Sequence, residues 1–229
     1  MKRSLGAAIT LLLTGCLSTE PTSIILNFDL GVVGENWTPG VVNVPVARLT
    51  DVALVGELRN LPAPLATTRT GLYLAGTNVT GDMFIYLQKR FNGLTANTTF
   101  TAMLTVEFAT NIHNGCTTGI GASTFIKAGV SLLELAPAPD GQGILRVIQD
   151  LGDHTNGGDF TRLGDIRNPS PGCPSPGTFT SRTTITQTQP VTLTTDVDGG
   201  FILFVGIDSS VLGRPEIYFM AIRLELALS

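Results

Sequence analysis

The sequence predicts an all-β chain folded as a single antiparallel β-sandwich of jelly-roll type. The 229 residues include 26 glycines and 13 prolines, which divide the chain into many short elements and turns. Apolar and polar residues alternate with period two, most clearly from Thr99 to Phe108, where Phe100, Ala102, Leu104, Val106 and Phe108 share one face. No segment holds a capped helical period for more than about ten residues. Hydrophobic residues make up 43% and charged residues 14%, a balance that excludes a disordered chain and leaves ample material for a core.

In chain order, the first element is a targeting segment. Lys2 and Arg3 precede a short apolar run from Leu5 to Leu13, too short to span a bilayer. It closes on Leu13-Thr14-Gly15-Cys16, which resembles the bacterial lipobox. The resemblance implies cleavage after Gly15 and acylation of Cys16, with more than one chain making the membrane anchor durable. An ordinary secretory signal with a chance cysteine is the alternative. Residues 1–15 then form the signal and 16–23 a lipidated, polar tether, with the β-sandwich over 24–229. Leu17 replaces the aspartate that retains lipoproteins at the inner membrane, so the expected address is the cell envelope, at the outer membrane in a Gram-negative cell. Loss of Lys2 and Arg3 takes the formal charge from −4 to −6, which speaks against nucleic acid as a partner.

Strands are expected over 24–28, 41–47, 52–58, 71–76, 83–89, 99–108, 124–135, 143–149, 178–188, 190–197, 201–207 and 218–227. In the last, Tyr218, Met220, Ile222, Leu224 and Leu226 alternate with Phe219, Ala221, Arg223, Glu225 and Ala227. Asp196-Val197-Asp198-Gly199-Gly200 reads as a hairpin turn, and 150–177 as one long loop. An outer-membrane barrel would need aromatic girdles; one Trp and three Tyr are too few, and the faces of Thr180, Thr184, Thr186 and Thr188 suit water.

With Cys16 acylated, Cys116 and Cys173 remain as an even pair in an oxidising compartment, where a disulfide is expected; two separate buried thiols are the alternative. Ile24-Ile25-Leu26-Asn27-Phe28-Asp29 with Trp37 resembles the opening of galactose-binding-like jelly rolls and carbohydrate-binding modules. Ile217 to Leu224 is similar to their final strand. The resemblance implies that the final strand pairs beside the first and that Trp37 is buried. Gly93 to Thr99, Leu163-Gly164-Asp165-Ile166 and Gly206-Ile207-Asp208-Ser209 resemble pieces of a family of bacterial secreted proteins and lipoproteins, with no activity implied.

Two features have the chemistry of binding sites. Trp37, Tyr73 and Tyr86 are the residues most able to stack on a sugar ring, although core packing is the competing role of each. Asp150, Asp153, Asn156 and Asp159, with Asp165 further along, supply the oxygens that calcium requires, against the alternative of a solvated turn capped by its own side chains. Only His113 and His154 are available for imidazole chemistry, and neither sits in a nucleophile-elbow pattern. Gly119-Ile120-Gly121 with Lys127 lacks the ending of a phosphate loop, and the three Asn-X-Thr sequons are unremarkable in a Thr-rich chain. The expected function is therefore non-catalytic: a lipid-anchored envelope protein that binds glycan or envelope polysaccharide. A structural or protein-binding envelope component is the alternative, and a glycan hydrolase with paired carboxylates a remote one.

The lipobox is testable directly. Wild-type protein expressed in a bacterial host should enter the detergent phase of a phase separation, and Cys16→Ser should stay aqueous or unprocessed. Wild-type protein found wholly in the aqueous phase would refute the anchor.

Overall fold

A computed structural model describes residues 23–33, 36–185 and 191–229. The expected signal, Cys16, the tether up to residue 22 and residues 186–190 lie outside them. Among the described residues are fourteen strands: β1 (Ser23–Asp29), β2 (Thr38–Val42), β3 (Val55–Asn60), β4 (Thr70–Ala75), β5 (Met83–Phe91), β6 (Thr99–Thr110), β7 (Thr124–Ser131), β8 (Ala138–Pro139), β9 (Leu145–Arg146), β10 (Phe160–Asp165), β11 (Thr180–Ile185), β12 (Val191–Thr194), β13 (Phe201–Ser209) and β14 (Glu216–Leu228).

They form the expected antiparallel sandwich. One sheet runs β11-β6-β14-β4-β3, with β12 also against β6 and β1 also against β14. The other runs β10-β7-β13-β5-β2. β1 pairs with β14 from Ser23↔Ala227 to Asp29↔Ala221, so the first and last strands are neighbours. The inner faces meet in one apolar core, in which Leu104, Val106 and Phe108 of β6 and Ile222 and Leu224 of β14 oppose Ile85, Leu87, Val205 and Ile207. Trp37 is buried in this core, edge-on to Phe91 at 6.0 Å.

Several expectations change in detail, each for a local reason. The period of β14 is interrupted at Met220, where the pairing with β6 slips between Phe219 and Ala221. One extra residue inverts the pleat. Ile217 and Phe219 therefore join Ile222 and Leu224 inside, while Tyr218 and Met220 point outward into a second cluster with Tyr73. Strand β2 stops at Val42 rather than 47, because Asn43 takes a left-handed φ of 63°. The span expected as a strand from 52 begins with the end of a one-turn helix, Leu49–Val52, closed by Ala53 at φ 45°. Of 124–135 only the part up to Ser131 is strand, and of 143–149 only Leu145–Arg146. The loop expected over 150–177 contains β10, whose period is hidden by an irregularity between Arg162 and Gly164.

Asp196 to Gly200 is a tight turn but not a hairpin. Gly199 N–H donates to the Asp196 carbonyl, and the Asp196 carboxylate accepts from the Gly200 and Asp198 amides. Those amides, with Arg90, hold its carboxyl below the usual range. The turn carries the chain from β12, in the first sheet, to β13, in the second.

Cys116 and Cys173 form the expected disulfide, with Cα atoms 4.8 Å apart. It ties the β6–β7 connection to the segment after β10. His113 supports the same junction: its Nε2 accepts from Thr178 N–H at 2.9 Å, which places the ring proton on Nδ1, facing the Pro171 carbonyl at 3.1 Å. Nearby, Asp165 is pushed up by burial, but hydrogen bonds from Arg167 and Arg182 outweigh this and hold its carboxyl below the ordinary value.

The bridge spans 57 residues, so opening it should lower stability by about 4 kcal/mol on the chain-entropy model. The Cys116→Ser/Cys173→Ser double variant, unfolded in denaturant beside the oxidised wild type, measures this. An unchanged midpoint would show that the bridge adds nothing.

Candidate binding cleft

The alternation of the second sheet continues on its outer face, where it meets a second layer. Phe84 and Tyr86 of β5, Ile202 and Phe204 of β13 and Phe160 of β10 form an apolar cluster under the segment from 132 to 159, together with Leu135, Val147 and Leu151. Two glycines allow this close covering. A Cβ on Gly129 of β7 would stand 2.1 Å from the Asp159 carbonyl oxygen, and one on Gly206 of β13 would stand 2.7 Å from the Phe84 ring. Both sites need the bare backbone.

Two charges interrupt these apolar strands. Lys127 occupies an outward position of β7 and is 1% exposed; Asp208, outward on β13, is 3% exposed. β7 and β13 are adjacent, with Lys127 opposite Gly206, so Asp208 is the diagonal neighbour of Lys127. Lys127 Nζ lies 2.8 Å from Asp208 Oδ2. It also donates to the Leu151 carbonyl at 2.7 Å and to the Gly152 carbonyl. An ammonium has three protons, and three acceptors meet them. The other Asp208 oxygen, Oδ1, lies 2.8 Å from Nδ1 of His154, a residue with φ of 49°. Sheet and loop are thus fastened by one buried charge pair.

Beside this fastening lies a cleft of about 410 Å³. Its walls include Asn43, Asp82, Arg146 and Asp153, and its floor includes Phe84, Lys127 and Asp208. Arg146 Nη1 donates to Asn43 Oδ1 at 2.7 Å, and Asn43 Nδ2 donates to Asp82 Oδ1 at 3.1 Å, so the polar rim is a connected chain. Buried Gln149 also lines the cleft; its Nε2 donates to the Leu133 and Glu134 carbonyls while its Oε1 has no partner.

The three aromatic candidates are not in the cleft wall. Trp37 is in the inter-sheet core. Tyr73 is buried on the outer face of the first sheet, with the Arg59 guanidinium 4.0 Å over its ring and its hydroxyl donating to Glu216; burial, then that hydrogen bond, push it up to about 12. Tyr86 stacks on Phe84 and donates to the Leu135 carbonyl, and burial pushes it too up to about 12. None offers a ring face to a sugar, because the layers that stabilise the sandwich occupy those faces.

The expected calcium ligands do not converge either. Asp150 Oδ1 accepts from Gly152 N–H and its Oδ2 from Gly158 N–H, Asp159 Oδ2 accepts from Asp150 N–H, and Asn156 Oδ1 accepts from Arg162 N–H. These side chains cap the loop backbone, as the alternative reading had it. Asp165 pairs with Arg167 and Arg182 instead. Asp150 and Asp153 both line the cleft, and Asp153 meets His154 and Asp82 there.

In the sequence Lys127 has only the place of a phosphate-loop lysine, and Asp208 lies within the short motif Gly206-Ile207-Asp208-Ser209. The signal that would have found them is a charge inside an apolar strand, Phe125-Ile126-Lys127-Ala128 and Val205-Gly206-Ile207-Asp208. Each such charge needs a partner of opposite sign. Asp82, Asn43, Arg146 and Gln149 carry no sequence signal of this kind.

No protein-family model matches the chain, and a search of curated proteins finds no match. Among solved structures, a carbohydrate-binding module of the β-sandwich superfamily is 14% identical at a TM-score of 0.41, over 84% of this chain and 57% of that one. A module with specific mannan recognition is 11% identical at 0.42, over 89% and 97%. The K1 cleaved adhesin domain of Lys-gingipain from Porphyromonas gingivalis W83 is 12% identical at 0.36, over 90% and 99%.

The fastening makes a quantitative claim. Lys127→Met keeps the length of the side chain, removes its charge and leaves Asp208 buried without the ammonium. Stability should fall by about 3–5 kcal/mol in chemical unfolding, and adding Asp208→Asn should recover part of it. A loss below about 1 kcal/mol would mean that the pair behaves as a surface salt bridge.

Proposed function

We propose that this chain is a lipid-anchored envelope protein whose sandwich holds a glycan in the cleft beside Asp82 and Arg146, without hydrolysing it. The observation that carries this reading is the cleft's lining. A carboxylate, an amide and a guanidinium are joined in a rim of hydrogen bonds above a floor where Phe84 lies beside the Lys127–Asp208 pair. Such a surface can exchange hydrogen bonds with a ligand rich in hydroxyls, each of which both donates and accepts. Because no aromatic face is open there, recognition rests on polar contacts, which suits a short, hydroxyl-dense segment of polysaccharide.

The topology favours the same reading. Ser23, where the tether ends, pairs with Ala227. That end of the sandwich also holds the 196–200 turn and the amide of Ser229, which donates to Thr99. Asp208 stands at the opposite end of β13, beside Thr124 and Met83. An anchored chain would present its cleft away from the bilayer.

The test is a glycan array with the full-length, detergent-solubilised protein, followed by titration of the strongest ligand. Arg146→Ala and Asp82→Asn should each weaken binding about tenfold or more, the scale of one charge-assisted hydrogen bond, while Arg59→Ala on the other sheet should not. An array with no specific signal, or equal affinity in all three variants, would overturn the reading and favour a structural or protein-binding role.

A further inference from the structure

Three acceptor atoms face one another at the mouth of the cleft. His154 Nδ1 is 2.8 Å from Asp208 Oδ1, so the neutral ring carries its proton on Nδ1 and Nε2 presents a lone pair. Nε2 lies 3.3 Å from Asp153 Oδ1 and 3.8 Å from Asp82 Oδ1. One ligand atom from each of the three residues falls within 4.8 Å of the others. A neutral imidazole nitrogen and a carboxylate oxygen are both acceptors and cannot bond to each other. The Lys127 charge is already matched by Asp208, which leaves Asp82 and Asp153 as the negative charge of the mouth. In the same cleft Gln149, 8% exposed, has its Oε1 buried with no donor. A cation between the three atoms at the mouth, or a proton on Nε2, would satisfy them.

We propose that Asp82, Asp153 and His154 form a binding site for a divalent transition-metal ion of the zinc or manganese kind. One imidazole and two carboxylates favour such ions over calcium, which prefers six to eight oxygens. Three ligands on a tetrahedral ion would stand about 3.4 Å apart, so closure needs a contraction that Asp153, with its side chain 83% exposed, can make by rotation. Asp208 does for His154 what an outer carboxylate does in metal sites: it fixes the tautomer and aims the ring. Lys127 in turn holds Asp208 in place. Three protein ligands leave at least one position for water or an oxygen of a bound molecule. The site stands whether or not the cleft takes a glycan.

The experiment is calorimetric titration of chelator-stripped, full-length protein in detergent with zinc, manganese and calcium salts. One equivalent of zinc should bind saturably, at least tenfold tighter than calcium. Asp153→Asn and His154→Gln should each weaken zinc binding at least tenfold with an unchanged circular dichroism spectrum, and Asp159→Asn, in the same loop, should keep wild-type affinity. Should His154→Gln disturb the loop, the Asp82→Asn/Asp153→Asn double variant decides alone. No saturable zinc binding up to millimolar concentration, or wild-type affinity in that double variant, would overturn the site.

Discussion

The pair Lys127–Asp208 is the constraint on which the functional side of the molecule depends. It is buried on both sides, and a buried ion pair is stabilising only when its remaining hydrogen-bonding positions are met. Here they are met from the loop: Leu151 and Gly152 give carbonyls to the ammonium, and His154 gives a ring nitrogen to the carboxylate. The sheet cannot bury these charges without the loop, and the loop has no other comparable hold on β7 and β13. The covering segment is also held by hydrogen bonds of Tyr86 and Gln88 to Leu135, and by apolar contact of Leu151 and Val147 with the Phe84–Phe160–Phe204 cluster. Charge fixes the position of the loop, and apolar contact supplies area.

This arrangement explains why the cleft lies where it does. A jelly roll buries the inner faces of its sheets, and the outer faces are ordinarily left to water. In this chain the long excursion between β7 and β10 covers the outer face of the second sheet, Asp208 included, and stops short of covering Asp82. The cleft is the gap between the covering layer and the end of β5. Its lining consequently comes from five separate segments, around 43, 82–84, 127, 146–153 and 208, with Phe84, Lys127, Arg146 and Asp208 on strands. Rigid support limits the reorganisation that binding would demand.

The long connections that follow β6 and β10, at the same end of the sandwich as Asp208, are held by different means. The Cys116–Cys173 bridge, His113 and the Asp165 carboxylate with its two arginines hold long connections that share only a single β-bridge, His113 with Asn168. The outer face of the first sheet has a smaller cover of its own, in which Tyr73, Tyr218 and Met220 pack under Leu61 and Phe179. Both outer faces therefore bear aromatic residues that look available in a sequence and are closed in the fold.

Much of the architecture was legible in the residues themselves. Period-two alternation in β6 specifies which side of that strand is buried, because successive side chains of a strand point to opposite faces. An even pair of cysteines, in a chain expected to be exported, was enough to name the disulfide, and the resemblance of both chain ends to jelly rolls anticipated β1 beside β14. Local pattern failed where one residue alters the pleat, as at Met220 and between Arg162 and Gly164, since a bulge inverts a face without changing composition. It failed more completely at the cleft. Whether Asp150 caps an amide or holds a cation, and whether Tyr86 meets a sugar or the Leu135 carbonyl, depends on what packs above the sheet. Asp82, Asp153, His154 and Asp208 come together only because β5 and β13 pair and the loop closes over them. Sequence determined the strands, the core and the bridge, which follow from periodicity and residue type. Tertiary structure alone decided the site, because its members are dispersed along the chain and short-range pattern carries no record of such distances.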